Sequence, residues 1–330
     1  MDPGLASQDN VQHRCGPPRE LPAIPTRPAL RGEPESFALQ SHDCRPPLTS
    51  AERTARVRPK LSWRVSSLLQ IDPKECVATL LKLLGAQAVA TSEAARKRLR
   101  EVLTVLPAGR IPPQAWPYLE ALWTTERAAR SATTAAGLPR LSASGPGARV
   151  SLWRGDITTL HIDAIVNAAN SGMTGCYQPL HPCVDNAIHS AAGPWLREEC
   201  AAVMTRRGRP EPTATATVTG GHFLPARHIV HTVGPIVSGG APTTADARAL
   251  ARCYRVCLEA AAAAGATSIA FCSISTGVFG YPVAAAAPLV LATVREELAA
   301  GLPLSQVVFV TFSKADESIY AAHGPEVFLG

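Results

Sequence analysis

Residues 268–299 read SIAFCSISTGVFGYPVAAAAPLVLATVREELA. The run 268–274 is short, apolar and β-rich, as a buried strand requires. It enters a turn holding Gly277, Gly280 and Pro282. The stretch 283–299 then has the length and apolar spacing of a helix. The glycines permit dihedrals closed to other residues and let a ligand approach the backbone. Pro282 suits the first turn of the helix, whose free amides attract phosphate. A diphosphate cradle and a glycine turn needed only by the fold fit this turn equally well.

The same strand-then-helix alternation spreads outward. Strands are expected at 149–153, 164–168, 215–223, 228–233 and 306–312, and helices at 184–192, 194–204, 244–264 and 314–323. Such alternation means an α/β domain of three layers, α/β/α, over residues 149–330, with a central mixed, largely parallel sheet. Ligands of such sheets sit beyond the carboxyl ends of the strands.

The N-terminal half reads differently. Residues 1–60 are rich in Pro and Arg and lack an apolar period, which predicts a disordered tail. Residues 61–130 predict a small helical extension. Asp72, Pro73 and Glu75 form a helix start, followed by Val77, Leu80, Leu81 and Leu84 at helical spacing. A second helix opens at Ser92, with Arg96, Lys97 and Arg100 read as a solvated face. A third spans 114–130. Residues 131–148, rich in Ser, Thr, Ala, Gly and Pro, read as a linker.

The 330-residue chain is 46% hydrophobic and carries a net charge of +6. Residues 1–148 hold 20 Lys and Arg against 13 Asp and Glu, whereas residues 149–330 hold 12 against 13. The basic excess therefore lies outside the α/β domain, and nucleic acid is not an expected partner. No apolar run is long enough for a membrane span. The nine cysteines form no framework pattern and suit a reducing compartment. The first residues lack the layout of a secretion signal, so the expected location is cytoplasmic and the expected state a monomer.

Three further loops carry chemistry. Gly155, Asp156, Ile157 and Thr158 follow the strand at 149–153; a carboxylate there can accept from an exocyclic amine or simply cap a turn. Asn167, Ala168, Ala169 and Asn170 place two amides around small residues, so that Asn170 can bond a ribose diol. An asparagine turn is the alternative. Residues 175–189, GCYQPLHPCVDNAIH, hold Cys176, His181 and Cys183, the residue types that Zn²⁺ prefers. His181 and Cys183 are two apart, so an extended backbone aims both to one side. Spacing alone leaves a metal centre and two unrelated thiols beside a loop histidine both open.

Together and in this order, GDIT, NAAN, GCYQPLHPCVDN and ISTGVFGYP resemble the macrodomain, the ADP-ribose-binding module. In place of the glycine-rich loop of most macrodomains stands GCYQPLHPC, which resembles the zinc-dependent branch of protein-ADP-ribose hydrolases. That branch also carries an N-terminal helical extension. The resemblance implies that Asp156 contacts adenine with the help of Ile157, and that Asn170 holds the distal ribose. It implies one Zn²⁺ on Cys176, His181 and Cys183, with Val184, Asp185 and Asn186 lining the distal ribose and phosphate. Ser275, Thr276, Gly277, Val278 and Phe279 would wrap the diphosphate.

The implied activity is zinc-dependent removal of mono-ADP-ribose from modified protein side chains, with Asp and Glu esters foremost. Asn170 and Asp185 are the implied catalytic pair, and ADP-ribose is the ligand and product. A non-catalytic ADP-ribose reader, a loop stapled by structural zinc, and an O-acyl-ADP-ribose deacylase are the rival readings. His189 or Cys200 could supply a fourth metal ligand. Cys253 and Cys257 read as core residues, and His228 and His231 as residues on opposite faces of a strand.

Overall fold

The computed structural model describes residues 72–87, 89 and 91–329. The tail expected over 1–60, and residues 61–71 of the helical extension, lie outside the described residues. All described residues belong to one compact unit.

Helix α1 (Pro73–Leu83) starts as its sequence predicts: the Asp72 carboxylate accepts from the Lys74 amide at 2.8 Å, and Pro73 occupies the first helical position. Helix α2 (Ser92–Val105) opens at Ser92 as expected and is capped by Thr91, whose hydroxyl accepts from the Ala94 amide. Helix α3 (Trp116–Ala129) follows one 3-10 turn. Their shared core holds Leu80, Leu81, Leu99, Leu119 and Trp123, and it also takes in Trp195 from the α/β part. The extension is therefore packed against the rest of the molecule through apolar surface.

The Arg96, Lys97, Arg100 row is not a solvated face throughout. Arg96 lies over the Trp123 ring and bonds Glu126 through both nitrogens, with Nη2 to Oε2 at 2.7 Å, and Arg100 Nε donates to Ser190 Oγ at 3.1 Å. Only Lys97 of the three is exposed. Charge alternation along a helix cannot show that an acceptor on another element faces it.

The α/β part consists of β1 (Thr133–Thr134), β2 (Val150–Arg154), β3 (Leu160–His161), β4 (Ala164–Ala168), α4 (Val184–Ala192), α5 (Pro194–Arg207), β5 (Ala216–Gly220), β6 (His228–Thr232), α6 (Thr244–Ala263), β7 (Ser268–Phe271), α7 (Val283–Ala299), β8 (Gln306–Thr311) and α8 (Lys314–Leu329). The stretch 131–148, expected as a linker, carries β1, which pairs in parallel with β3. Ala135 is buried and its carbonyl accepts from Gln306 Nε2 at 2.7 Å. Small side chains give no apolar period to read, yet they let this segment lie close against the sheet. Helix α8 runs past 323, through Gly324 and Pro325, to Leu329. Arg295 Nη1 bonds the Val327 carbonyl, so tertiary contact holds a turn that the Gly-Pro pair alone would end.

The main sheet has the order β2-β8-β7-β4-β6-β5, all parallel except β5, which runs antiparallel along β6. Helices flank it in the three-layer arrangement. One register positions the site. β4 pairs with β6 over its full length, but with β7 only at Ala164–Ile269 and Ile165–Ala270. Beyond those pairs β4 and β7 part. The chain crosses from one side of the sheet to the other at this same place, so a crevice opens at the topological switch point.

Candidate functional site

Parallel pairing brings the carboxyl ends of β2, β8, β7, β4 and β6 to one edge of the sheet. Asp156 follows β2, Asn170 follows β4 and Ser275 follows β7. Three connections far apart in sequence, the second of which also carries Cys176, His181 and Cys183, are thus gathered by sheet topology.

On the β4 side, Asn170 and Asp185 converge. Asn170 Nδ2 donates to the Gly175 carbonyl at 3.0 Å and to Asp185 Oδ2 at 3.4 Å, while its Oδ1 accepts from the Gly172 amide. Asp185 sits in the first turn of α4 and is almost fully buried. Burial raises its carboxyl to about 6 against the opposing effects of the Asn167 hydrogen bond and the Arg197 charge. Asn167 is wholly buried: it faces the core rather than a ligand. It donates to Asp185 Oδ1 at 2.8 Å and lies 3.1 Å from His231 Nδ1. With Asn167 donating there, the His231 proton is assigned to Nε2, which faces Thr219 Oγ1 at 2.8 Å.

Cys176, His181 and Cys183 come together, with their ligand atoms within 4.8 Å of one another and Cys176 Sγ 3.6 Å from His181 Nδ1. That separation matches the roughly 3.5 Å between sulfur and nitrogen across a tetrahedral zinc. The donor set therefore fits a zinc ion. Cys183 is also the N-cap of α4, its sulfur accepting from the Asn186 amide. Burial, with Cys176 and Asp185 adding to it, pushes the Cys183 thiol up to about 12, so a cation is needed to hold it as thiolate. His189 and Cys200 do not join these three: they form a separate buried group with His231. Val184 and Asn186 flank Asp185 in the first turn of α4, and Asn186 turns back to the loop, where Nδ2 donates to the carbonyls of Gln178 and His181.

Across the crevice, residues 275–280 form a tight turn. Ser275 is buried at φ +66°, a left-handed conformation that L residues with side chains seldom adopt, and its Oγ has no partner. Tyr281 donates its amide to the Ser275 carbonyl, and Val237 donates to the Phe279 carbonyl at 2.7 Å. Among the described residues no backbone hydrogen bond takes the amides of Gly277, Val278 and Phe279. Such a group of free amides suits an anion.

At the β2 end Asp156 is exposed, and Oδ1 accepts from the Thr158 amide and hydroxyl. Ile157 is buried beneath it. Sequence reading missed the neighbour of this loop. Phe312, directly after β8, is 84% exposed, and the Gly155 amide bonds the Thr311 carbonyl beside it. An exposed aromatic where the expected strand ends was the available signal. Asn167 and His231 were missed as supports of Asp185, because their contacts join residues 18 and 64 apart.

Among the described residues no helix is long and apolar enough to cross a membrane. Residues 166–290 match the family model described as Macro domain. The chain is 53% identical over 169 residues to a protein-ADP-ribose hydrolase of Treponema medium, a match covering 51% of this chain and 64% of that protein. The chain thus spans less than two thirds of that relative's length. It resembles the macro domain of ganglioside induced differentiation associated protein 2 with a TM-score of 0.52 and 31% identity, covering 60% of this chain and 98% of that one. A Trypanosoma brucei macrodomain, solved in complex with ADP-ribose, matches with a TM-score of 0.52 and 27% identity over 84% of this chain and 96% of its own. That share exceeds what residues 149–330 make up, so this likeness reaches into the helical extension. By its matching residues and by these relatives, the chain belongs to the Macro domain family.

Proposed function

We propose that the protein is a zinc-dependent hydrolase that removes mono-ADP-ribose from protein side chains, with Asp and Glu esters as the first substrates to test. The observation that carries this reading is the convergence of Asn170 and Asp185 beside Cys176, His181 and Cys183, at the same edge of the sheet as the turn that carries the amides of 277–279. The name of the Treponema medium relative and the ligand of the Trypanosoma brucei structure point the same way.

In this reading Asp156 accepts from the adenine amine and Phe312 offers the ring a stacking face. The amides of Gly277, Val278 and Phe279 bind the diphosphate. Asn170 bonds the distal ribose, next to Asp185. Cys176, His181 and Cys183 would hold Zn²⁺, which supplies a Lewis acid that orients and polarises oxygen at the distal ribose. Asp185, raised toward neutrality by burial, can hold or accept a proton there, and Asn167 keeps it aimed. The buried base of the crevice limits the access of bulk water to these groups.

Metal content is measured beside ADP-ribose release from a modified protein, for wild type, Cys183→Ala and His181→Ala. Both variants should lose zinc and hydrolysis together. Full activity in a zinc-free variant would sink the zinc mechanism, and binding without release in the wild type would make the protein a reader.

A further inference from the structure

The loop at 174–183 is held from outside itself, and both holds lead to helix α2. The first passes through Arg197 on α5. Its Nε donates to the Thr174 carbonyl at 2.7 Å, and its Nη1 donates to the carbonyls of Leu103 and Leu106 at 2.7 and 2.8 Å. Leu106 is the C-cap of α2, so the guanidinium closes the negative end of that helix. Its carbon lies 4.6 Å from the centre of the Tyr177 ring, within the same loop. Arg197 is only 8% exposed, and burial pulls its pKa down. A guanidinium placed there is expensive unless its donors find acceptors, and backbone carbonyls of two separate segments take those of Nε and Nη1.

The second hold is a directed chain. Arg100 Nε donates to Ser190 Oγ at 3.1 Å, Ser190 Oγ donates to Asn186 Oδ1 at 3.2 Å, and Asn186 Nδ2 donates to the Gln178 and His181 carbonyls, each at 3.1 Å. Every donor and acceptor in the chain has the right sense, so the bonds reinforce one another. Arg197 thus fixes the arm before Cys176, and Arg100 fixes the arm that carries His181. Between the two runs a cavity of about 40 Å³ is lined by Arg100, Thr104, Asn186, Ser190 and Arg197.

We propose that Arg197, Ser190 and Arg100 are positioning residues for the metal loop, and that helix α2 sets the spacing of Cys176, His181 and Cys183. This inference rests on the reading of that loop as a zinc site. The helical extension is then a working part of the site. Groups that orient a metal's ligands from behind typically change metal affinity by about 10–100-fold when removed.

The test compares wild type with Arg197→Lys, Ser190→Ala and Ser190→Thr. Arg197→Lys keeps the charge and loses the fork; Ser190→Ala breaks the chain at one hydroxyl, and Ser190→Thr restores it. The readouts are amide hydrogen exchange over 174–183 and the rate of metal loss to a chelator. Arg197→Lys and Ser190→Ala should speed exchange within the loop, leave α6 and α7 unchanged, and lose metal roughly tenfold faster, with Ser190→Thr behaving as wild type. Unchanged loop exchange in Ser190→Ala, or an equal rise throughout the protein, would overturn the proposal. If the wild type carries no zinc, the hydrogen exchange arm still decides whether α2 positions the loop, so failure of the zinc reading stays separate.

Discussion

The side-chain amide of Asn167 donates to Oδ1 of Asp185 across 2.8 Å, and both residues are buried. Asp185 lies on a helix and Asn167 on the central strand β4, so this bond fixes the carboxylate relative to the sheet. Asn167→Ala leaves Asp185 with the 3.4 Å contact to Asn170 and with His189 Nε2 at 3.5 Å, and it leaves His231 Nδ1 without its donor. Stability should fall by about 1–3 kcal/mol. ADP-ribose release should slow at least tenfold while ADP-ribose affinity changes less, because the lost group aims the acid rather than binding the ligand. Calorimetry of ADP-ribose binding beside turnover checks the split; equal losses in both would mean that the crevice itself has collapsed.

The order of strands and helices was legible because burial imposes periods of about 2 and 3.6 residues on the sequence. The loop bearing Cys176, His181 and Cys183 was legible because its three donors lie close in sequence. The Asn167–His231 support was not, since residue types on two strands say nothing of which side chains face each other. The inward turn of Arg96 and Arg100 failed for the same reason. Segment 131–148 was misjudged through its small side chains, and the end of α8 through a proline that a tertiary contact tolerates.

Phe312 presents an exposed ring beside the Asp156 loop, with little apolar contact to lose. Phe312→Ala should leave thermal stability unchanged. It should weaken ADP-ribose binding by about 1–3 kcal/mol, the usual effect of removing an aromatic from beneath a base. Titration calorimetry with ADP-ribose, and with ribose 5-phosphate as a ligand lacking the base, separates stacking from a general loss. An effect of equal size on both ligands would place the adenine elsewhere.

His231 is fully buried, and burial lowers its pKa from 6.5 to about 4. Between those values the unfolded chain binds a proton that the folded protein refuses. The folded state therefore keeps this contribution above pH 6.5 and loses it as pH falls toward 4, by roughly 3 kcal/mol at most. His231→Gln removes the titration. The variant should be less stable than wild type at pH 7, and the gap should narrow as pH falls to 4. Urea unfolding at pH 7, 5.5 and 4 measures it; a gap independent of pH would mean that His231 titrates alike in both states.

Gly280 closes the turn that presents the amides of 277–279, and it does so at φ +72°. Two constraints meet at this residue. The left-handed conformation disfavours any L side chain by about 1 kcal/mol. A Cβ there would also lie 2.8 Å from the Val237 carbonyl oxygen, a backbone atom that cannot swing away. The neighbouring Val237 amide holds the Phe279 carbonyl at 2.7 Å, so relief of the clash must move Phe279 and open the turn. Gly280→Ala should therefore weaken ADP-ribose binding at least tenfold, since the free amides lose their common aim. The loss should be as large for ADP as for ADP-ribose, because the diphosphate is common to both. Zinc content should be unchanged, as the metal loop lies across the crevice. Normal affinity in Gly280→Ala would show that the diphosphate does not rest on this turn.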